Sequence, residues 1–257
     1  MSGFEPLEEN LRAMLAAFGR ARPSGETCEL AGVAVASSAV QYSMFNSAVL
    51  TAPVARPREL AERIETAAGF FEKRGLPWSF WVCQGWIEKA VRGVVADLFY
   101  GRGLHLVAEL PGMHAETLAP PARPLPELEY RRVSDARTRA DFTYVMIAAF
   151  GLPPPVARAI YESEGTWSGG FTGWVGYRGG VAATTAATLA RPSAVGIYAV
   201  GTPPAHRRRG YAEAVMRHAL AQAGAETPSL LEASESGLLL YRRLGYRTVT
   251  RYAVFAS

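Results

Sequence analysis

The hydrophobic residues of the first half recur at helical spacing in some segments and form short continuous runs in others. Leu60, Ile64, Ala67, Ala68 and Phe71 fall on one face of a helix, because side chains three and four positions apart share a face. The same spacing predicts helices over 8–18 and 87–100. Runs rich in β-branched and aromatic residues predict two strands of a hairpin within 29–51, and further strands over 77–83 and 103–110.

The second half shows the same two kinds of pattern. Helices are predicted over 137–150 and 156–162, and a third after Gly210, where apolar residues occupy positions 212, 215, 216, 219 and 220. Strands are predicted over 171–177, 181–189, 194–200, 229–234 and 246–255, with a short helix over 237–243. A tight turn, Arg178-Gly179-Gly180, joins the first two of these strands. The order of elements predicts an α/β protein, with a mixed sheet and helices on its faces.

Prolines are concentrated near the middle of the chain, at positions 120, 121, 124 and 126. Proline at this density cannot sustain a helix or a central strand, and it favours an extended spacer. We therefore predict one domain over 1–119, a proline-rich linker over 120–127 and a second domain over 128–257. The chain is long enough for two domains of about 125 residues, each with its own core.

Charge is divided unevenly between the two halves. Residues 1–126 have a net charge of −1 and residues 127–257 a net charge of +5, and every base of the second half is an arginine. The second half is therefore the one suited to anionic ligands. Its excess charge is too small and too localised for a nucleic-acid-binding surface, so we expect no nucleic-acid partner.

The remaining composition indicates a globular protein of the cytoplasm. The sequence has no apolar run of the roughly 18–20 residues that a membrane span requires, so no membrane partner is expected. Acidic residues stand near the N-terminus, where a signal peptide would be basic and then apolar. Cys28 and Cys83 lack metal-ligand or redox spacing, and we interpret them as small apolar fillers in a reducing compartment, with a disulfide as the alternative.

One loop combines several features of an anion-binding site. The segment AVGTPPAHRRRGYA, residues 199–212, runs from a predicted strand through two prolines and three arginines into a predicted helix. The first N–H groups of a helix have no partner within it and, with the helix dipole, bind phosphate oxygens. Gly210 permits unusual dihedrals, and arginine adds charge-assisted hydrogen bonds. These residues alone leave two interpretations open, a phosphate cradle and a solvated basic run.

The motif in this loop differs from two common phosphate motifs. It has neither the Gly-Lys-Ser/Thr ending of a nucleotide P-loop nor the Gly-x-Gly-x-x-Gly of a dinucleotide fold. The pattern Arg207-x-x-Gly210-x-Ala212 resembles the acetyl-CoA-binding segment of the GNAT superfamily of N-acetyltransferases. The later segment LLEASESGLLLYRRLGYRTV is similar to that family's next strand-helix-strand unit, including its Leu-Tyr-x-x-x-Gly-Tyr ending. The resemblance covers residues 128–257.

The resemblance implies a GNAT-like fold and direct transfer of an acyl group from CoA to an amine, with acetyl-CoA as co-substrate and no metal. It implies that an N–H group near Tyr198 to Val200 faces the thioester oxygen. Ser234 stands where the family often has a cofactor-binding asparagine. Tyr241 matches the family's general acid, which protonates the leaving thiolate, although a core aromatic is the alternative. The cofactor-binding residues implied in and before the loop are Val200, Gly201, Thr202, Arg207, Arg208, Arg209, Gly210, Tyr211 and Ala212.

The acceptor side of the site is less well defined by the sequence. Four acids are candidates for a base, although an acid in such a position is more often a solvated surface residue: Glu162, Glu164, Glu232 and Glu235. Three aromatic residues are candidates for an acceptor pocket, and each is also consistent with a core position: Trp167, Trp174 and Tyr198.

The first half repeats the order hairpin, helix, strand, helix, strand, but it has no Arg-x-x-Gly-x-Gly/Ala loop. Aligning Gly103 with Gly245 sets Phe99 opposite Tyr241, so the phenol is missing. We interpret this half as a degenerate GNAT-like copy, or else as an unrelated α/β cap, that shapes the acceptor groove.

The function predicted from these observations is that of a CoA-dependent N-acyltransferase. Its acceptor is expected to be a small-molecule or peptide amine, and the protein is expected to be a monomer or a homodimer. The alternative is a non-catalytic protein that binds or senses acyl-CoA.

Overall fold

The computed structural model describes residues 3–224 and 227–257 of the chain. The helices are α1 (Glu5–Arg20), α2 (Pro57–Glu72), α3 (Lys89–Arg92), α4 (Val95–Tyr100), α5 (Ala136–Phe150), α6 (Pro154–Tyr161), α7 (Tyr211–Gly224) and α8 (Leu238–Arg243). The strands are β1 (Glu26–Leu30), β2 (Val33–Ser37), β3 (Asn46–Leu50), β4 (Ser79–Cys83), β5 (His105–Ala115), β6 (Glu129–Arg132), β7 (Phe171–Arg178), β8 (Val181–Ala190), β9 (Val195–Gly201), β10 (Ser229–Glu232) and β11 (Arg247–Ala256).

The chain forms two compact units, and the first of them is built from both ends of the sequence. It comprises Met1–Gly112 and Thr248–Ser257. Strands β1, β2 and β3 are antiparallel, β3 is parallel to β4, and β4 is antiparallel to β11. Helix α2 connects β3 to β4, because parallel strands need a crossover connection. The chain's last strand therefore completes the sheet of the first unit.

Aromatic side chains dominate the core of the first unit. The ring of Phe71 on α2 stacks on Trp78 at a centroid distance of 5.2 Å. Phe99 on α4 stacks on Phe255 of β11 at 4.1 Å and meets Phe80 edge-on at 5.3 Å. These rings are almost fully buried, so β11 supplies part of the hydrophobic core as well as backbone hydrogen bonds.

The second unit, Met113–Arg247, consists of an antiparallel meander followed by a parallel strand. Strands β6 to β9 pair in chain order, and β10 is parallel to β9 through the crossover helix α7. Helices α5 and α7 both pack against β7, β8 and β9. The core beneath α7 includes Val215, Met216 and Leu231, which are almost completely buried.

The two halves of the chain share a series of elements along the sequence: three antiparallel strands, a crossover helix, a parallel strand, a short helical region and a further strand. This is the mixed α/β architecture predicted from the sequence. The common series agrees with the idea that the first unit is a copy of the second, which stays a prediction.

Several details differ from the sequence predictions. The helix predicted over 87–100 is divided into α3 and α4, because α3 ends at Gly93, a residue of low helix propensity. Strands β1 and β6 were not predicted. Both are rich in charged residues (ETCEL and EYRR), as is usual for strands at the edge of a sheet, so neither has a hydrophobic signal.

The boundary between the compact units also differs from the proline-rich segment. It falls within β5 and again at the start of β11, whereas residues 120–127 lie inside the second unit. The main chain of Ala119 donates to Leu244 O at 2.9 Å, which ties the start of this segment to the end of α8. None of the helices described in the structure is both long and apolar enough to cross a membrane.

Candidate active site

A β-bulge in β9 shapes one wall of the candidate site. Thr185 pairs with Gly201 and Ala187 pairs with Tyr198. The two paired positions are two residues apart on β8 and three residues apart on β9, so β9 contains one extra residue. Within the bulge Ala199 has a φ of 51°, and its carbonyl accepts a hydrogen bond from Thr185 Oγ1 at 2.9 Å. A bulge leaves one residue of the longer strand without a ladder partner. This is the stretch in which the sequence predicts an N–H directed at the substrate.

Strands β9 and β10 part before β9 ends. They pair at only two positions, where Ser229 is level with Val195 and Leu230 with Gly196. Continuing this register by two residues brings Glu232 level with Tyr198. Burial first, and then the Glu232 carboxylate, raises the pKa of Tyr198 well above its ordinary value, which agrees with this proximity. The separated ends of the two strands therefore carry a phenol and a carboxylate next to each other.

The loop between β9 and α7 has the backbone of an anion-binding turn. It passes through a 3-10 turn at Pro204–His206 and an extended Arg207, and then reaches Arg208 with a φ of 62° and Gly210 with a φ of 82°. Where φ changes sign between successive residues, their N–H groups can point into the same hollow of the backbone. Such a hollow suits an anion. Helix α7 begins at the next residue, Tyr211, and its first N–H groups have no partner within the helix.

One cavity of about 310 Å³ unites these features. Nearly all of the cofactor-binding residues predicted from the sequence line it: Val200, Gly201, Thr202, Arg207, Arg208, Gly210, Tyr211, Ala212 and Ser234. Tyr241, the predicted general acid, also lines it. Arg209 is exposed and does not line this cavity. The two motifs, residues 199–212 and 230–249, therefore meet at one site.

The Arg207 side chain stabilises the loop through hydrogen bonds to main-chain carbonyls. Its guanidinium donates to Thr202 O through Nε and to Ala149 O through Nη2, both at 3.1 Å. These bonds hold the loop against the end of α5. From the sequence, we expect the guanidinium of this residue to bind a phosphate. In this structure the guanidinium donates to main-chain carbonyls instead.

Tyr241 lies on α8 with its ring against the start of its own helix. A Cβ at Gly237 would lie only 2.6 Å from Cε2 of the Tyr241 ring, so the position needs glycine. The side chain is 8% exposed, and burial raises the pKa of Tyr241 to about 12. The main-chain carbonyl of Ser234 accepts from the N–H groups of Gly237 and Leu238 at 3.0 and 3.1 Å, and so caps the helix. Gly237 carried no signal in the sequence.

The structure separates the residues predicted for the acceptor side. Trp167 belongs to an aromatic cluster, 4.8 Å from Phe142, and its indole donates to Tyr161 O at 2.8 Å. Trp174 lies instead against His218 of α7, at 4.5 Å. Glu164 forms an ion pair with Arg139 at 3.0 Å. Among the predicted acceptor residues, Tyr198 and Glu232 interact electrostatically.

The electrostatics of the cavity are those of an anion site. Besides the loop, it is lined by Arg123 and Arg243, which the sequence analysis did not select. The one acid among its lining residues, Glu213, is paired with Arg217 at 2.9 Å. Among residues 3–224 and 227–257, no three His, Cys, Asp or Glu side chains are grouped so that they could hold a metal ion.

Comparison with known proteins agrees with this geometry. Residues 187–249 match the family model of the acetyltransferase (GNAT) domain. The match spans the bulged strand, the loop, α7 and α8, so this part of the second unit is similar to a GNAT acetyltransferase domain. No curated protein matches the chain.

Solved structures with a similar fold extend over most of the chain. A GCN5-related N-acetyltransferase from Kribbella flavida has a TM-score of 0.69 at 18% identity, covering 96% of this chain and 94% of that one. A functionally unknown conserved protein from Staphylococcus epidermidis has a TM-score of 0.68 at 14% identity, covering 92% and 95%. A GCN5-related N-acetyltransferase from Sphaerobacter thermophilus has a TM-score of 0.58 at 18% identity, covering 91% and 78%. The whole chain thus has a mixed α/β, GNAT-like fold.

Proposed function

We propose that this protein is a CoA-dependent N-acyltransferase that moves an acetyl group from acetyl-CoA to a primary amine of a small molecule or peptide. The observation that carries the proposal is the cavity itself, in which a bulged strand, an anion-binding loop and a buried phenol meet. Each of the three matches one requirement of thioester aminolysis.

The first requirement is to hold a long, negatively charged substrate. The N–H groups around Arg208 and Gly210 and at the start of α7 would bind the pyrophosphate of CoA. Gly210 has a φ of 82°, which favours glycine, so the shape of this cradle depends on the residue. The residues present therefore fit the phosphates of CoA.

The second and third requirements concern the reacting atoms. The amine nitrogen attacks the thioester carbonyl, whose oxygen gains charge, and an N–H group of the β9 bulge near Val200 would stabilise that charge. As the carbon–sulfur bond breaks, the sulfur takes up a proton. Tyr241 would donate it, because its pKa of about 12 keeps the phenol protonated at neutral pH.

Replacing Gly210 with valine tests the cradle. Valine is β-branched, its Cβ would meet Arg123 and Pro126, and a φ of 82° strains any side chain. We expect the affinity for acetyl-CoA, measured by calorimetry, to fall about 100-fold, because several N–H contacts are displaced together.

Gly179→Val is the matched control. Gly179 also has a positive φ, of 59°, but a Cβ there meets nothing within 4 Å. This variant should bind acetyl-CoA like the parent. Equal affinity of Gly210→Val and the parent protein would refute the cradle.

A protein that only binds or senses acyl-CoA would satisfy the first requirement without the other two. Steady-state release of CoA thiol with a panel of primary amines separates the two functions. Turnover with any amine of the panel supports the transferase. Tight acetyl-CoA binding without release of thiol across the panel would favour the sensor.

A further inference from the structure

The proline-rich segment passes directly over the phosphate-binding loop. A Cβ at Gly210 would lie 3.4 Å from Arg123 Nη2, 3.4 Å from Pro126 Cδ and 3.7 Å from Pro126 Cγ. Arg123 lines the same cavity as Arg208 and Gly210, and its side chain is exposed to solvent. This arginine lies outside both motifs by which the sequence resembles the GNAT family.

The segment is anchored on both sides of Arg123. On one side, Ala119 donates to Leu244 O at 2.9 Å and accepts from Arg217 Nη2 at 2.6 Å. On the other side, Glu127 O accepts from Arg178 Nη1 at 3.0 Å. The prolines between these anchors fix their own φ angles and so restrict the segment further. Arg123 is therefore presented to the loop by a connection that has little freedom to move.

The neighbouring charges leave Arg123 suited to an anion. Glu213, in the first turn of α7, is engaged by Arg217 at 2.9 Å. The guanidinium of Arg207 is directed at the carbonyls of Thr202 and Ala149. Within residues 3–224 and 227–257, no hydrogen bond or ion pair engages the Arg123 guanidinium. A planar guanidinium beside Gly210, in the same cavity as the loop, is suited to bidentate binding of a phosphate.

We propose that Arg123 is a phosphate ligand of CoA, supplied by the proline-rich segment rather than by the acyl-CoA-binding motif. The proposal rests on the proposed function, since it needs CoA in this cavity. Both the pyrophosphate and the 3′-phosphate of CoA offer the required chemistry. In either case the segment between β5 and β6 acts as part of the cofactor site.

Calorimetry on the full chain tests the assignment with Arg123→Ala. Because charge-assisted hydrogen bonds are among the stronger ones, we expect about tenfold weaker binding of acetyl-CoA. Arg123→Lys keeps the positive charge but lacks the paired N–H donors of the guanidinium. Its affinity for acetyl-CoA should lie between those of the parent and the alanine variant. Arg158→Ala, which removes an exposed arginine on α6, controls for the change in net charge and should bind like the parent.

Titration with CoA and with 3′-dephospho-CoA identifies the phosphate. If Arg123 holds the 3′-phosphate, the difference between parent and Arg123→Ala disappears with 3′-dephospho-CoA. If it holds the pyrophosphate, the difference remains with both ligands, and either result supports the proposal.

Two further outcomes separate this proposal from the proposed function. If Arg123→Ala binds acetyl-CoA within twofold of the parent while Gly210→Val binds it weakly, the cradle stands and the role of Arg123 is overturned. If the parent protein binds no acetyl-CoA, both proposals fail together. Because Arg123 is exposed, its substitution is expected to leave the unfolding temperature unchanged, which a thermal melt verifies.

Discussion

At the scale of single residues, the environment of Tyr241 determines what its phenol can do. Burial raises the pKa of Tyr241 to about 12, and a raised pKa of a neutral acid extends the range over which it keeps its proton. The buried residue nevertheless lines the cavity. Tyr241 is therefore part of the core, and it keeps the proton that the proposed mechanism asks it to donate.

Replacing Tyr241 with phenylalanine removes the donor and keeps the ring. We expect kcat to fall by about 10²–10⁴-fold, the usual effect of losing a positioned acid, with the affinity for acetyl-CoA nearly unchanged. Single-turnover measurements with an accepted amine report the chemical step. Turnover at the parent rate would assign the proton to water instead.

The pKa adds a second criterion to this experiment. A phenol with a pKa of about 12 does not titrate between pH 6 and pH 10, so Tyr241 cannot cause a loss of activity in that range. The pH profiles of the parent and of Tyr241→Phe should have the same shape up to about pH 10. A decline near pH 8–9 that occurs only in the parent would contradict the assignment.

At the scale of elements, α8 positions Tyr241 through its first and last residues. Gly237 stands immediately before the helix, against the Tyr241 ring, and Gly245 follows the helix with a φ of 95°. The first glycine leaves room for the ring, and the second allows the chain to turn into β11. A short helix of this kind has little stability of its own, so contacts with its neighbours fix its place.

Gly237→Ala should displace the ring without removing any chemical group. Its Cβ would lie 2.6 Å from Cε2 of Tyr241, and crowding of this kind typically lowers stability by about 1–3 kcal/mol. We expect a lower unfolding temperature and a reduced kcat, while acetyl-CoA still binds. Gly69→Ala in α2, where a Cβ meets nothing within 4 Å, is the control and should be neutral or stabilising. Parent-like kcat in Gly237→Ala would show that the ring position is unimportant.

At the scale of the whole molecule, the two units share their elements but differ at the place where a phosphate would bind. In the first unit, Glu59 lies in the first turn of the crossover helix α2, where it accepts from the N–H of Ala55, just before the helix, at 2.9 Å and pairs with Arg56. This backbone N–H, with Arg56, lowers the pKa of the Glu59 carboxyl group. The Glu59 carboxylate thus already engages an N–H group just before α2, whereas the proposed function assigns the N–H groups at the start of α7 to a phosphate. Phe99, aligned with Tyr241, is stacked in the core.

We therefore expect the full chain to bind one molecule of acetyl-CoA. Calorimetric titration should give a stoichiometry of one, and Gly210→Val should weaken that single site. A second saturable site that survives in Gly210→Val would contradict the interpretation of the first unit as a copy without cofactor chemistry.

Much of this architecture follows from local sequence patterns. The spacing of Leu60 to Phe71 predicted α2, and the apolar positions after Gly210 predicted α7. Both predictions were possible because the apolar residues of an amphipathic helix recur every three to four positions in the sequence. The resemblance of the two motifs to the GNAT family likewise implied the cavity-lining residues from Val200 to Tyr241. Edge strands β1 and β6 were missed because their side chains are largely polar.

The sequence by itself determined the fold class, the loop and the candidate acid, all of which depend on residues close together along the chain. Only the tertiary structure decided which distant segments meet. In the structure β11 pairs with β4 of the first unit, and the Arg207 guanidinium donates to Ala149 O. Arg123 lies next to Gly210. Hydrophobic burial and hydrogen bonding between segments far apart in sequence select these contacts. The spacing of hydrophobic residues within one segment does not predict these contacts, because they form only when the whole core packs.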